Sequence, residues 1–366
     1  MISIVKPYIP PKEVLMPALE KTIYSGYIAQ GEKVEDFEFK LGQYFENINL
    51  LTVNSGTSAL HLSLILANVG PGDEVISTAL TAEPTNTAIA QTGAKVIWAD
   101  TELFTGLICP KSVKKLITNK TKAIMIVHYA GMVANLNEFY SIRDNYNISI
   151  IEDCAHAFGS TYKGSKIGNH GNICTFSFQA IKHLTTGDGG CAIFPNENQV
   201  KRAKLLRWYG IDRENNRKDF RCESDISEYG FKFHMNDINA TIGINNLPGV
   251  KENIAKTIDN ANFYNQELVN VPGVTLLENN SDRQSSYWIY TLKVERQQDF
   301  MSKMQECNIM VSRVHERNDI HSCMSEFRTD LPNLDKLVKE MICIPVGWWV
   351  TPEDRQYIVE CIKEGW

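Results

Sequence analysis

One lysine, Lys182, ends an apolar stretch that begins at Thr175, and a turn rich in threonine and glycine follows it. The pattern predicts a short strand that presents the lysine among apolar and hydroxyl side chains. Poor solvation there disfavours the ammonium, and a neutral lysine is a nucleophile for carbonyl groups. Because a single lysine after a strand usually lies on the surface, other parts of the chain must supply the partners that this chemistry needs.

Two further stretches supply the partners that a carbonyl cofactor on a lysine requires. The apolar run from 148 to 151 leads to Asp153, and ligands of parallel sheets lie at the carboxyl ends of the strands. Pyridoxal phosphate needs a lysine for its aldehyde and a carboxylate that keeps its ring nitrogen protonated. The hydroxylated turn from 53 to 61 opens a helix, whose free amides hold an anion such as phosphate. Together the three stretches predict a pyridoxal 5'-phosphate site.

These stretches belong to a longer series of motifs that extends over nearly the whole chain. The series comprises Lys6-Pro7-Tyr8, residues 25–31, Ser55-Gly56-Thr57, Glu152-Asp153, Ser177-Phe178 with Lys182, and Gly189-Gly190. In their order and spacing the chain resembles the DegT/DnrJ/EryC1/StrS family of sugar aminotransferases. The resemblance implies an α/β type I aminotransferase fold, with a mainly parallel seven-stranded sheet in a large domain and a smaller C-terminal α+β domain.

The resemblance also implies a role for each residue of the cofactor site. Lys182 is expected to form the Schiff base with the cofactor and then to move a proton between the substrate carbon and the cofactor. Asp153 is expected to bind the protonated ring nitrogen, and a helix cap is the alternative. His156 is expected to contact the ring or its hydroxyl, and a buried core histidine is the alternative. The residues expected to bind the phosphate are Gly56, Thr57 and Ser177.

Two positions near the cofactor depart from the family pattern. Ala82 stands where the family commonly has an aromatic residue that stacks on the ring, so ring packing is expected from Glu83, Pro84 or His156. Lys232 stands where the family has an asparagine that reaches the phosphate of the neighbouring subunit. A lysine there predicts a stronger, charged contact across the interface of a homodimer with shared active sites.

A polar and cationic stretch, residues 311–321, is a third departure, and we expect it to turn back over the active site. Arg317 or Arg313 is expected to recognise a carboxylate or phosphate of the substrate, with hydrogen bonds from neighbouring residues. A solvated loop is the alternative. The residues predicted to bind the substrate are Glu83, His315, Arg317 and Asn318.

Strand and helix patterns alternate from residue 49 to residue 151. Such alternation predicts a mainly parallel sheet covered by helices on both faces. The length of the chain favours two domains. We expect a large pyridoxal-phosphate-binding domain over 1–249 and a small C-terminal domain over 250–366.

The region around the expected domain boundary has two features of its own. A helix from 238 to 247 is expected to end at Pro248-Gly249, and a second helix from 250 to 269 is expected to bridge the domains. The charged segment from 212 to 229 is poor in apolar residues, and we expect it to form a loop near the active site.

The composition of the 366 residues excludes several classes of protein. Apolar residues make up 43% and charged residues 22%, and a formal charge of −6 without a basic patch argues against nucleic acid as a partner. Nine cysteines without paired spacing favour reduced thiols over disulfides or a zinc site, so no metal is expected. No export signal and no apolar run of about eighteen residues is visible, so we expect a cytoplasmic protein without membrane contact.

The chain is therefore expected to be a homodimeric aminotransferase that moves an amino group from L-glutamate or L-glutamine to a keto sugar. Pyridoxamine phosphate would be the intermediate form of the cofactor, and ping-pong kinetics should follow. The expected acceptor is a nucleotide-linked sugar in the biosynthesis of amino sugars and polysaccharides such as lipopolysaccharide.

Three alternatives stay open at the level of sequence. The acceptor can be a keto sugar without a nucleotide, or a keto-phosphate. The enzyme can be a sugar dehydratase, although a histidine replaces the lysine in that branch and Lys182 is present here, with His183 beside it. A regulator that binds the cofactor without turnover is disfavoured, because the lysine, carboxylate and phosphate motifs are all intact.

Overall fold

Strands and helices alternate through the first half of the chain, as the apolar patterns predict. The structure is a computed structural model that describes residues 1–214 and 225–366. The elements of the first half are α1 (Lys12–Ile23), α2 (Glu32–Phe45), β1 (Leu50–Val53), α3 (Gly56–Leu66), β2 (Glu74–Thr78), α4 (Glu83–Gln91), β3 (Lys95–Ala99), α5 (Pro110–Leu116), β4 (Thr121–Val127), α6 (Leu136–Tyr146), β5 (Ser149–Asp153), β6 (Thr161–Tyr162), β7 (Ser165–Lys166), β8 (Ile173–Ser177), β9 (Gly190–Ile193) and α7 (Glu197–Arg207).

Seven of these strands form one sheet in the order β1-β9-β8-β5-β4-β2-β3. Pairing is parallel from β3 through β2, β4 and β5 to β8, whereas β9 runs antiparallel to both β8 and β1. The inner strands β4 and β5 are buried along nearly their whole length, which is typical of strands covered on both faces. The prediction of a mainly parallel sheet is confirmed.

The register of the sheet gathers polar side chains at one edge. Asp153, the last residue of β5, lies between Val127 of β4 and Thr175 of β8. The chain turns from β1 directly into α3, whose start is capped by Ser55: its hydroxyl accepts a hydrogen bond from the Ser58 amide at 3.0 Å. The carboxyl ends of the strands and the amino ends of the following helices therefore meet at this edge.

The second half of the chain forms a smaller antiparallel sheet with its own apolar core. Its elements are α8 (Asp237–Glu267), β10 (Val274–Leu276), β11 (Arg283–Gln284), β12 (Tyr290–Val294), α9 (Gln297–Glu306), α10 (Pro332–Glu340), β13 (Met341–Ile344) and α11 (Pro352–Lys363). The strands β10, β12 and β13 make a three-stranded antiparallel sheet, and β11 pairs with β6 of the first half. A second cluster of buried apolar side chains packs on the β10-β12-β13 sheet.

The expected break at Pro248-Gly249 is wrong, because α8 continues through it as one helix of 31 residues. The helix packs against α1 and α2, and a side chain at Gly249 would bring its Cβ within 2.6 Å of the Tyr8 hydroxyl oxygen. A proline inside a helix loses one hydrogen bond. Burial along both halves of α8 outweighs that cost, which local propensity does not reveal.

The two apolar cores share this helix. Val250 and Ile254 of α8 belong to the large core, whereas Ala261 and Tyr264 belong to the smaller one. The proposed boundary after residue 249 thus falls within a continuous helix, and the division into two domains stays a prediction. Within residues 1–214 and 225–366, no helix combines the length and the apolar character that crossing a membrane requires.

Candidate active site

A cavity of about 340 Å³ opens at the polar edge of the large sheet. Its volume falls in the range of roughly 300–1,000 Å³ that is typical of small-molecule sites. The wall is formed by the starts of α3 and α4, the ends of β5 and β8, the turn that follows β8, and two residues from the second half of the chain. The residues that carry the chemistry of this wall are Gly56, Thr57, Glu83, Thr85, Asp153, His156, Ser177, Lys182, Trp288 and His315.

Lys182 lies in a turn after β8 that local hydrogen bonds hold in shape. Its amide donates to the Gln179 carbonyl at 2.9 Å, and the Thr186 amide donates to the Phe178 carbonyl at 2.9 Å. Burial in the cavity wall lowers the pKa of Lys182 to about 7, and the carboxylate of Asp153 opposes that shift. Near neutral pH the amine is therefore divided between a charged form and a nucleophilic neutral form.

Asp153 presents a carboxylate whose hydrogen-bond donors are neutral groups. The Thr85 hydroxyl donates to Oδ2 at 2.7 Å and the Ala155 amide donates to Oδ1 at 3.1 Å. Burial raises the pKa of Asp153, while these two hydrogen bonds and Lys182 act to lower it. The buried carboxylate of Asp153 can therefore bind a cationic group of a ligand in the cavity.

Glu152, one residue earlier on β5, lies in a different network. It accepts hydrogen bonds from His128 Nε2 at 2.8 Å and from Asn172 Nδ2 at 2.6 Å. Because His128 Nδ1 accepts from the Ala134 amide, Nε2 carries the proton. The atoms of Glu152, His128 and Cys154 that could ligate a metal lie within 4.8 Å of one another. The hydrogen bonds just described already engage the carboxylate and the imidazole. The cluster supports β5 from behind the cavity.

The predicted phosphate residues lie together. Gly56 and Thr57 are the first residues of α3, where backbone amides have no partner within the helix. Ser177 ends β8 directly opposite, and a side chain at Gly56 would bring its Cβ within 2.8 Å of the Ser177 Cβ. Glycine is therefore required for this close approach, which places free amides and a hydroxyl around one point, as an anion needs.

Three aromatic rings form one side of the cavity. His156 stacks on Trp288 with ring centroids 3.9 Å apart and an interplanar angle of 15°, and His315 lies parallel to His156 at 5.5 Å. His156 Nδ1 accepts from the Ala130 amide at 3.3 Å, so its Nε2 carries the proton. Burial, and after it the charge of Lys182, keeps the pKa of His156 well below its usual value. The ring is thus a neutral donor.

The aromatic wall offers the ring packing that Ala82, in place of an aromatic residue, does not provide. Ala82, Glu83 and Pro84 line the cavity as small or polar surface, and His156 is the predicted ring neighbour that the structure places there. Trp288 was not among the predicted site residues. Its only signal in the sequence is an aromatic residue just before β12, and such residues are common in strands.

Two residues predicted to bind substrate are engaged elsewhere. Arg317 pairs with Asp319 at 2.7 Å, and both side chains are buried; it also pairs with Asp335, whose side chain is half-exposed. Asn318 donates to the Thr81 carbonyl at 2.8 Å, and its Oδ1 accepts from Asn86 at 2.7 Å. Neither residue lines the cavity. Their contacts fix the loop that carries His315, which favours a structural role for both residues over the predicted role in substrate binding.

Lys232 also lies outside the cavity wall of its own chain. Its Nζ lies 5.0 Å from the centre of the Trp208 ring and 3.4 Å from His234 Nε2. The predicted contact of Lys232 concerns the phosphate of a second subunit. The predicted loop over 212–229 falls partly outside the described residues, because 215–224 are not among them.

Comparison with known proteins gives the context of this site. The DegT/DnrJ/EryC1/StrS aminotransferase family matches residues 12–363. The structure of AtS13 from Actinomadura melliaura is 41% identical, with a TM-score of 0.96 over 100% of this chain and 99% of that chain. The structure of the sugar aminotransferase CalS13 from Micromonospora echinospora is 37% identical, with a TM-score of 0.96 over 100% of both chains.

A third similar protein bears on the cofactor. Spr1654 from Streptococcus pneumoniae is 25% identical and is known in two forms. Its pyridoxal-phosphate form has a TM-score of 0.90 over 99% of this chain and 98% of that chain. Its pyridoxamine-phosphate form has a TM-score of 0.91 over 100% of this chain and 98% of that chain. These similarities confirm the type I fold and the cofactor.

The residues present fit pyridoxal phosphate on independent grounds. The cavity offers an amine of lowered pKa at Lys182 and a buried carboxylate at Asp153. It also offers the free amides at the start of α3, which lie close to Ser177 because residue 56 is a glycine. Each requirement of the cofactor thus has a side chain or an amide in the same cavity. This chain belongs to the DegT/DnrJ/EryC1/StrS aminotransferase family and is a pyridoxal-phosphate-dependent sugar aminotransferase.

Proposed function

We propose that the enzyme transfers an amino group from L-glutamate, or L-glutamine, to the keto group of a nucleotide-linked sugar. The observation that carries the proposal is the placement of Lys182 and Asp153 in one cavity, with the helix start of α3 beside them. Pyridoxal phosphate, when bound, supplies an aldehyde that takes the amino group and a ring that withdraws electrons.

Lys182 is the proposed base and acid of the reaction. With a pKa of about 7, its side chain takes and returns a proton near neutral pH without a large cost in either direction. The turn from Gln179 to Thr186 holds the amine at the edge of the sheet. The amine can therefore remove the proton from the substrate carbon and deliver it to the neighbouring position.

Asp153 and the start of α3 are proposed to hold the two ends of the cofactor. Thr85 and the Ala155 amide fix the carboxylate of Asp153, so that its charge faces the cavity and keeps a ring nitrogen protonated. The amides of Gly56 and Thr57, with the Ser177 hydroxyl, bind the phosphate. His156 donates from Nε2 towards the ring, because the Ala130 amide occupies its other nitrogen.

The walls beyond the cofactor favour an uncharged, hydroxyl-rich acceptor. Among the described residues that line the cavity, Lys182 is the only lysine or arginine. Glu83 lies on the wall with a largely exposed side chain, 3.6 Å from His321, and His315 lies near it. A carboxylate accepts hydrogen bonds from sugar hydroxyls. We propose that Glu83 and His315 bind the sugar and that a nucleotide moiety extends beyond the cavity.

We also propose a homodimer with shared active sites. Tyr24, Tyr27 and Tyr229 are each at least 80% exposed, and aromatic side chains are enriched at interfaces between chains. The loop that carries Tyr27 lies near Lys232. Arg213 donates to the Gln30 carbonyl at 3.4 Å, and both Arg213 and Lys232 lie over the Trp208 ring. A second chain on this surface would bring Lys232 towards a neighbouring phosphate. A Lys232→Ala variant that stays dimeric but binds the cofactor weakly would support this proposal. A monomer of the wild-type chain that keeps full cofactor affinity would contradict it.

The test of the proposed function is direct. Purified protein is mixed with pyridoxal phosphate, L-glutamate and a panel of keto sugars, each with and without a nucleotide, and 2-oxoglutarate is measured. The proposal expects 2-oxoglutarate and an amino sugar with the nucleotide-linked ketones. Product from sugar phosphates alone, or a deoxysugar formed without amine incorporation, would contradict it. In a parallel series L-glutamine replaces L-glutamate and 2-oxoglutaramate, its keto product, is measured, which identifies the donor.

A further inference from the structure

Trp288 contacts Lys182 although the two residues lie in different halves of the chain. The Nζ atom of Lys182 is 3.7 Å from the centre of the Trp288 ring. A lysine ammonium within about 6 Å of an aromatic ring centre is attracted to its face, and tryptophan attracts it most strongly. The indole is 4% exposed, so the contact is shielded from water.

The same indole also holds the turn that carries the lysine. Its Nε1 donates to the Ile181 carbonyl at 2.8 Å, one residue before Lys182. His156 stacks on the same indole with ring centroids 3.9 Å apart, which restricts the motion of the ring. Backbone and side chain of the lysine turn are therefore positioned by one residue that arrives just before β12.

We propose that Trp288 is the residue that positions Lys182 and stabilises its charged form before the cofactor is bound. The inference rests on the proposed role of Lys182 and adds a second function to the aromatic wall. Burial destabilises the ammonium, and the indole face offsets part of that penalty. The balance keeps the amine from losing its proton far below neutral pH, where it would gain nothing in reactivity towards an aldehyde.

The groups that face Lys182 define what else contributes to its titration. Asp153 at the end of β5 raises the pKa of Lys182. The positive charge of Lys182 lowers the pKa of the three nearby histidines, which are His156, His183 and His315. Burial holds the pKa of His183 and that of His315 at about 4, so both are neutral near pH 7. Near pH 7, Asp153 and Trp288 are thus the groups that favour the ammonium.

The test measures how fast the cofactor-free protein captures pyridoxal phosphate as a function of pH. Covalent capture joins the Lys182 nitrogen to the aldehyde carbon with loss of water, and its rate follows the neutral fraction of the amine. We expect Trp288→Leu to move the midpoint of this profile to lower pH by about half to one and a half units, since the cation–π attraction is lost. Trp288→Phe should move it less and in the same direction.

Trp349→Phe is the matched control, because its indole nitrogen also donates to a backbone carbonyl, that of Ser3, at 2.8 Å. Trp349 does not line the cavity, so its variant should keep the wild-type midpoint. An unchanged or higher midpoint in Trp288→Leu would overturn the proposal. If that variant does not fold, a Trp288→Phe profile that superimposes on the wild type overturns it.

The capture assay contains no amino donor and no sugar. Failure of the proposed function, seen as absence of a keto product from either donor with every ketone, would leave the shift in the capture profile intact. Failure of the role of Trp288 would leave transamination by the wild type intact. The two proposals therefore stand or fall on separate measurements.

Discussion

Lys182 and Arg317 are two cations withdrawn from water within the same part of the molecule, and their surroundings are opposite. Arg317 is held by the carboxylates of Asp319 and Asp335, and its hydrogen bonds to them raise its pKa above the usual value. Lys182 faces an indole and a carboxylate that is itself fixed by Thr85, and burial lowers its pKa to about 7. One cation is fully paired and the other is not.

The comparison shows which buried charge is available to a ligand. A buried charge that is paired on every side stabilises a loop, whereas one that lacks a complete set of partners changes its protonation state or binds a ligand. The neighbours Glu152 and Asp153 repeat the contrast on one strand. Hydrogen bonds from His128 and Asn172 outweigh burial and lower the pKa of Glu152, while burial raises that of Asp153.

The largest effect should follow from replacing Lys182 by a cation that cannot lose its proton. Lys182→Arg keeps a positive charge but cannot act as a base, because a guanidinium does not lose its proton in proteins. We expect the rate of 2-oxoglutarate formation to fall by at least about 10²–10⁴-fold. Retention of more than a tenth of the wild-type rate would show that another group carries the proton.

Replacing the paired cation, Arg317, should lower the free energy of unfolding and leave the reaction rate unchanged. Arg317→Met leaves the buried carboxylate of Asp319 without its partner, and breaking such a buried pair costs about 3 kcal/mol of unfolding free energy. Loss of the contact with the half-exposed Asp335 should add little. Urea denaturation measures that loss. The Michaelis constant for the acceptor should change little, and a large rise without loss of stability would restore Arg317 as a substrate-binding residue.

A variant on β5 separates the two carboxylates. Asp153→Asn removes the charge that faces the cavity, and we expect cofactor affinity to fall by about 10- to 100-fold, the value of a charged hydrogen bond. Equilibrium dialysis against pyridoxal phosphate measures it. Glu152→Gln, the control on the same strand, should lower stability with less effect on cofactor affinity. Equal losses of affinity would remove the distinction between the two acids.

The lowered pKa of Lys182 predicts the pH dependence of cofactor capture. Below about pH 7 the amine is charged, so the capture rate should fall up to tenfold for each pH unit, whereas above that value it should level off. The same profile measured with the Trp288 variants locates the midpoint. A rate that rises steadily to pH 10 would indicate an ordinary, solvated lysine.

The smallest effect is expected at the mouth of the cavity. Glu83→Gln keeps the size of the side chain and removes its charge, so the hydrogen bonds it accepts become weaker. The Michaelis constant for the sugar should rise by about 3- to 10-fold with less change in kcat, consistent with one hydrogen bond. An unchanged constant for every sugar tested would place the acceptor elsewhere on the wall.

The sequence predicts that the residues of the cofactor half lie together because strand ends converge. Asp153, Ser177 and Lys182 follow strands of one parallel sheet, so each lies at the same edge once the alternation of strands and helices is recognised. The start of α3 joins them for the same reason. Local patterns and topology are sufficient for this part of the molecule.

The rest of the site depends on contacts between distant parts of the chain. Trp288 reaches Lys182 from just before β12, and Arg317 meets Asp335 across a fold of the C-terminal half. No periodicity in the sequence encodes either contact. The continuity of α8 through Pro248 was missed for the same physical reason, since packing on both sides of the helix outweighs the local preference for a break.

We expect the amine of Lys182 to hold pyridoxal phosphate covalently. The most direct measurement is borohydride reduction of the cofactor-saturated protein, followed by proteolysis and mass mapping of the peptide that contains residue 182. The account predicts a stable pyridoxyl adduct on Lys182 and on no other lysine in stoichiometric amount. An unmodified Lys182 peptide from protein that is saturated with cofactor would contradict it.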